Sequence, residues 1–263
     1  MVDARDLLVR GLLAGLLAGV ATFFVAYAAG EPSVGAAIAV EESGGAADHD
    51  HGGTAAAGAP ADGHDHATVV PRSLQSTAGL ATATIVAGVT LGGLVGVVGA
   101  LALGRFGRLG ARSTVLLVAG LGFLATYVVP FLAYPPNPPA VGQADTIGVR
   151  TTLYFILVAV SLVAGVTAVL VARRLALGWG AWYATLACAA AYGVVLAVTI
   201  ALMPGYDEVP ADFPATVLYD FRRASLVTQL TLWGVVGLVT AELTHRLAVR
   251  SRDDARPAHL VRA

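Results

Sequence analysis

The sequence predicts an all-α protein built as a polytopic membrane bundle of about six spanning helices. Three observations carry that expectation. Hydrophobic residues make up 57% of the 263 positions and charged residues only 13%, about half the charged share of soluble domains. The apolar positions are gathered into runs of roughly 20 residues, long enough to cross the hydrocarbon layer as helices. Between the runs stand Arg clusters, or stretches rich in Pro, Asn, Asp and Gly that interrupt helices.

The first run, Leu7 to Ala29, follows Arg5 and ends in Ala26-Tyr27-Ala28, a small-residue pattern resembling a signal cleavage site. Cleavage there would leave five spans and the same external loops. The length of the run favours a retained helix, and Gly11, Gly15 and Gly19 put small residues on one face for close packing. The second run, Gly79 to Leu103, repeats the device with Gly88, Gly92 and Gly96, so these two helices are expected to meet glycine to glycine. The third and fourth runs are Thr114 to Ala133 and Thr151 to Ala172. The fifth, Ala181 to Met203, holds the single cysteine, Cys188, whose apolar surroundings suit a small buried hydrophobe and no disulfide or metal framework. The sixth is Leu226 to Leu243. No charged residue and no His falls near the centre of any run. Gln229 is the strongest polar group inside them, suited to an interhelical hydrogen bond or a substrate contact, beside scattered hydroxyls such as Thr84, Ser161, Thr199 and Thr231.

All sixteen basic residues are Arg, and their distribution sets the expected orientation. Alternate flanks carry twelve of them (Arg5, Arg10, Arg105, Arg108, Arg112, Arg173, Arg174, Arg246, Arg250, Arg252, Arg256 and Arg262), against four on the other side (Arg72, Arg150, Arg222 and Arg223). Both termini are therefore expected in the cytoplasm of a cell whose plasma membrane the chain spans. The chain divides into residues 1–29 (N-terminus and first span), 30–77 (a Gly/Ala/His-rich external loop, partly disordered), 78–247 (a five-helix bundle with external loops 134–150 and 204–223) and 248–263 (an Arg-rich cytoplasmic tail).

The 30–77 loop holds two near-repeats, ADHDHGG and DGHDHA. His49, His51, His64 and His66 interleave there with Asp48, Asp50 and Asp65. Imidazole with carboxylate suits Co(II), Ni(II) or Zn(II), and a pliant segment can fold both clusters around one ion. The alternative is a solvated linker that its charges keep soluble. No spacing matches a closed tetrahedral site. Free imidazole titrates near pH ~6.5 and binds metal only when neutral, so a metal held here is expected to leave in mild acid.

No GxSxG, HExxH or Walker-type signature occurs, so an enzyme is not expected, nor a nucleic-acid partner or a permanently bound cofactor. The external connections are Pro-rich: YPPNPPAVG before Arg150, and MPGYDEVPADFP before Arg222. Acids from these loops are candidates to complete an external cation site, or equally to anchor helix ends through ion pairs.

Taken in order, GEP…AIAVEE, VPRSLQ, VPFLAYPPNPPAVG…TIGVRT and EVPADFP…FRRASLVTQLTLW resemble the CbtA family, predicted cobalt transporter subunits. The resemblance runs along nearly the whole chain. It implies a membrane component of Co(II) uptake that serves cobalamin synthesis and works with a small single-span His-bearing partner, CbtB; Ni(II) is the alternative ion, and a homo-oligomer is also compatible. The family is usually described with five spans, against six counted here. Motif matching carries over Glu31, Glu41, Arg72, Gln75, Asn137, Arg150, Glu208, Asp212 and Arg222, with no roles assigned. The competing expectation is a membrane metal sensor or scaffold that moves no ion.

Overall fold

The computed structural model describes residues 3–48, 71–105, 109–139, 141–142 and 145–255. Six helices long and apolar enough to cross a membrane run through them: α1 (Ala4–Ser43), α2 (Arg72–Ala102), α3 (Ala111–Ala133), α4 (Ile147–Trp179), α5 (Ala181–Leu202) and α6 (Ala215–Ser251). No strand occurs among the described residues. The chain enters and leaves at one end of the bundle, the terminal end, where Arg112 at the start of α3 pairs with Glu242 late in α6 at 2.6 Å. The other end, the loop end, carries the connections α1–α2, α3–α4 and α5–α6.

The predicted glycine seam is the tightest contact in the fold. α1 and α2 run antiparallel, so Gly11 lies against Gly92 and Gly15 against Gly88. A methyl group placed on any of these four would overlap a carbonyl oxygen of the opposite helix, and one on Gly19 would lie 2.6 Å from the Ile85 Cα. Lipid is as apolar as a Leu side chain, so apolar helices gain little by hiding from it. They associate through close backbone approach, and glycine alone permits this approach.

α3 and α6 complete this compact group. Ala18 of α1, Val95 of α2, Val115 and Ala119 of α3, and Leu232, Trp233, Val236 and Ala241 of α6 form one buried cluster. The Trp233 ring lies over Gly122, where a methyl would stand 2.7 Å from the ring edge.

α4 and α5 form a separate hairpin. They are joined at Gly180, whose φ of 81° lies in the left-handed region that lacks a penalty only for glycine. A hydrogen bond of 2.7 Å links Ser161 of α4 to Tyr192 of α5. The hairpin meets the rest mainly toward the loop end, where Leu157 and Leu196 pack with Val129, Leu124 and Met203. Toward the terminal end an apolar crevice of about 280 Å³ opens between α4 and α2, α3 and α6, lined among others by Leu94, Val98, Leu121, Val166, Leu170 and Trp233.

Three elements differ from the boundaries composition suggests. Helix persists through Glu31–Asp48, beyond the apolar run. Ala, Val, Ile and Glu are adequate helix formers, Ser33 and Ala37, one turn apart, are buried, and this stretch packs against α6. α4 begins at Ile147 and α6 at Ala215, directly after Pro214, which cannot continue a helix backwards. Arg150, Arg222 and Arg223 consequently stand on helical turns and not in loops.

Two of the three π-helical turns share a cause. Ala26–Gly30 ends two residues before Pro32, and Leu124–Val128 ends two residues before Pro130. Proline has no N–H for the carbonyl four residues back and its ring crowds that oxygen, so the helix widens by one residue just ahead of it. The third, Gln75–Gly79, has no such proline.

Candidate functional site

The family-motif residues converge on the loop end. Glu31, one residue past a π turn, forms an ion pair with Arg72 at the first turn of α2. This contact ties the start of α2, which follows the His/Asp-bearing segment, to α1. On the other side, Arg150 and the Thr146 hydroxyl both donate to the Glu208 carboxylate, whose side chain is 5% exposed. The Tyr134 hydroxyl donates to the Pro204 carbonyl at 2.8 Å, so the α3–α4 and α5–α6 connections are clasped twice. Arg222 donates to Asn137 Oδ1 at 3.1 Å and to the Pro136 carbonyl at 3.4 Å, fastening the polyproline stretch to α6. The prolines hold that stretch extended, which is what presents those two oxygens together.

Behind this clasp lies a cavity of about 440 Å³ bounded by α3, α4 and α6. Tyr127, Phe131, Tyr134, Tyr154 and Phe155 line it with rings, Arg150 stands at its edge, and Gln229 is in its wall. The tyrosine hydroxyls are already engaged: Tyr127 with Ser225 at 2.9 Å, and Tyr154 donating to the Thr126 carbonyl at 2.7 Å. That last bond follows from the sequence chemistry, because Thr126 lies four residues before Pro130 and receives no backbone N–H from it. The cavity therefore offers ring faces, the Gln229 amide and the Arg150 guanidinium.

Glu41 and Asp212 are exposed, apart from these ties. Gln75 opens the π turn of α2 and has a polar partner. His49, His51, His64, His66, Asp50 and Asp65 lie outside the described residues; Asp48 ends the helical extension of α1, and its side chain is likewise outside them. Among the described residues, no three His, Cys, Asp or Glu side chains gather as a metal-binding group. Hydroxyls inside the spans mostly bond their own helix: Thr82 to Ala78, Thr84 to Ala81, Thr199 to Val195 and Thr231 to Val227. Thr22, Thr240 and Thr244 are the described buried hydroxyls without a partner. Tyr127, Tyr134, Tyr154 and Thr146 were not singled out by sequence reasoning; the position of Pro130 was the one signal that marked Thr126 as needing a donor.

The model of a family described as "Probable cobalt transporter subunit (CbtA)" matches residues 4–245. The chain belongs to the CbtA family. The match takes in the first five spanning helices, most of the sixth and every tie at the loop end. No curated protein and no solved structure matches the chain. This CbtA chain is thus a multi-pass membrane protein of a family of probable cobalt transporter subunits, and "subunit" implies a partner. That family is one of transport components and not of a known enzyme class.

Proposed function

We propose that this chain is the membrane subunit of a divalent-cation uptake system, with Co(II) as cargo, in which the His/Asp segment between α1 and α2 collects the ion outside the cell. The family match along residues 4–245 carries the reading. Two further features support it. The segment leaves the bundle from a helix that outruns the membrane, since 40 residues of α1 measure about 60 Å at the rise of an α-helix. Its C-terminal side joins α2 at Arg72, six residues after His66, and Arg72 is pinned to Glu31 at the loop end of the bundle. The arginine distribution favours that end as external, with both termini cytoplasmic.

The spans contain no buried carboxylate relay, and their hydroxyls are largely spent on their own backbone, so the chain is proposed to act with a small single-span His-bearing membrane protein of the CbtB kind. Ni(II) is the alternative cargo. The same features favour a second reading, a metal-binding scaffold without flux. Accumulation of labelled cobalt in cells with the gene, without it, and with the gene but not its partner separates the two. Equal accumulation in all three sinks uptake. Calorimetry on the full chain with all four histidines replaced tests the collecting role, and undiminished Co(II) binding removes it.

A further inference from the structure

We propose that the first turns of α6 form a binding site for the phosphate group of an anionic phospholipid. Arg222 and Arg223 line one groove of about 440 Å³, whose other walls are Phe131, Leu218, Tyr219 and Leu226. The charges at the loop end are not evenly balanced. Arg72 has Glu31 and Arg150 has Glu208, whereas Arg222 is held only by neutral acceptors, Asn137 Oδ1 and the Pro136 carbonyl. Among the described residues no carboxylate lies within ion-pair distance of it. Among the described residues Arg223 reaches only Asp220, at 3.4 Å, with both side chains more than half exposed.

A guanidinium carries five N–H donors in a planar fork, and the two bonds Arg222 makes leave donors free while fixing its position. A charge set where a spanning helix enters the apolar layer is costly without a counter-ion. A phosphodiester matches the fork in shape and charge, and guanidinium binds it in bidentate fashion. The rest of the groove suits the lipid that carries the phosphate. Phe131, Leu218 and Leu226 offer an apolar bed for glycerol and acyl carbons, and the exposed Tyr219 adds a ring of the amphipathic kind that collects at membrane interfaces. A soluble anion would use the arginines and leave that bed unused.

The test is lipid binding by the purified full chain in detergent, followed by native mass spectrometry and by thermal shift. The probes are phosphatidylglycerol, phosphatidylcholine of the same acyl chains, and inorganic phosphate. Phosphatidylglycerol is expected to bind and raise the unfolding temperature, and the other two not. Arg223→Gln, which disturbs only the loose Asp220 contact, should weaken phosphatidylglycerol binding about fivefold, and Arg222→Gln at least as much. Because Arg222→Gln also frees the polyproline stretch, Arg223→Gln and the charge-preserving Arg222→Lys, expected to retain partial binding, keep the test decisive if that variant fails to fold. Equal binding of phosphatidylcholine overturns the site. So does binding of inorganic phosphate alone, or unchanged phosphatidylglycerol binding by Arg223→Gln.

Discussion

The α1–α2 pair and the α4–α5 hairpin solve the same problem differently. Both are antiparallel pairs of apolar helices in a solvent that gives no hydrophobic reward for contact. The first pair specifies its geometry in the backbone, since six glycines let the helices interlock and permit one register. The second relies on side-chain bulk, one Ser161–Tyr192 bond, and ties at the loop end. In the first pair a wrong residue anywhere along the seam is felt. In the hairpin most positions face lipid, and the terminal-end crevice leaves α4 unsupported by the four-helix group. One pair is a fixed frame, and the other hangs from the clasp beside the cavity.

The contrast predicts its largest difference at glycines. Gly15→Leu drives a side chain into the Gly88 carbonyl, with only backbone to yield, so the helices must separate. The cost should exceed the roughly 1–3 kcal/mol of ordinary overpacking, and the variant should not yield folded protein in a detergent thermal-unfolding assay. At Gly193 in α5 an added Cβ meets nothing within 4 Å, so Gly193→Leu should fold with equal or higher stability. If both variants behave alike, the frame and the hairpin are not different in kind.

The next effect is at the clasp. Glu208→Gln removes the charge partner of Arg150 from a site where the carboxylate is 5% and the guanidinium 27% exposed. Breaking a fully buried pair costs about 3–5 kcal/mol, and the partial exposure of Arg150 brings the expectation down to roughly 2 kcal/mol. Hydrogen exchange should rise in residues 204–214 and at the loop-end turns of α4, while the glycine seam keeps its protection. Uniform loss of protection would mean that hairpin and frame unfold as one unit. Gly122→Ala is gentler, because the methyl meets a Trp233 ring edge at 2.7 Å that can tilt. About 1 kcal/mol of destabilisation by chemical denaturation is expected, with the cost falling when Trp233 is replaced by Phe.

Legibility in the sequence followed the same division. The seam was readable because glycines four apart on two helices state a face and a partner without further information. The absence of charge within the runs gave six spans directly. The extension Glu31–Asp48 was hidden by its Gly, Ala and Ser content, which suits a loop as well as a helix; burial of Ser33 and Ala37 and packing of this stretch against α6 select the helix. The clasp was half readable. Arg150 and Glu208 both stood out, but they are 58 residues apart, and nothing in composition states which acid a given arginine will meet. The histidine clusters, the strongest chemical signal in the sequence, lie outside the described residues, so their chemistry still rests on residue type alone.

The smallest effect tests how the frame and the hairpin are joined. Tyr154 of α4 donates its hydroxyl to the Thr126 carbonyl of α3, the oxygen to which Pro130 has no N–H to offer. Tyr154→Phe should cost about 1 kcal/mol, between the modest average for interhelical bonds in membranes and the penalty of an unpaired carbonyl. Pro130→Ala supplies an N–H four residues after Thr126 and should let the π turn relax to ordinary α-helix. In that background Tyr154→Phe should cost almost nothing, because the carbonyl then has a donor from its own helix. A double-mutant cycle measures this coupling. Additive costs would show that the Tyr154 hydroxyl stabilises the joint whether or not Pro130 withholds an N–H, and that the proline-widened turn does not create the need for it.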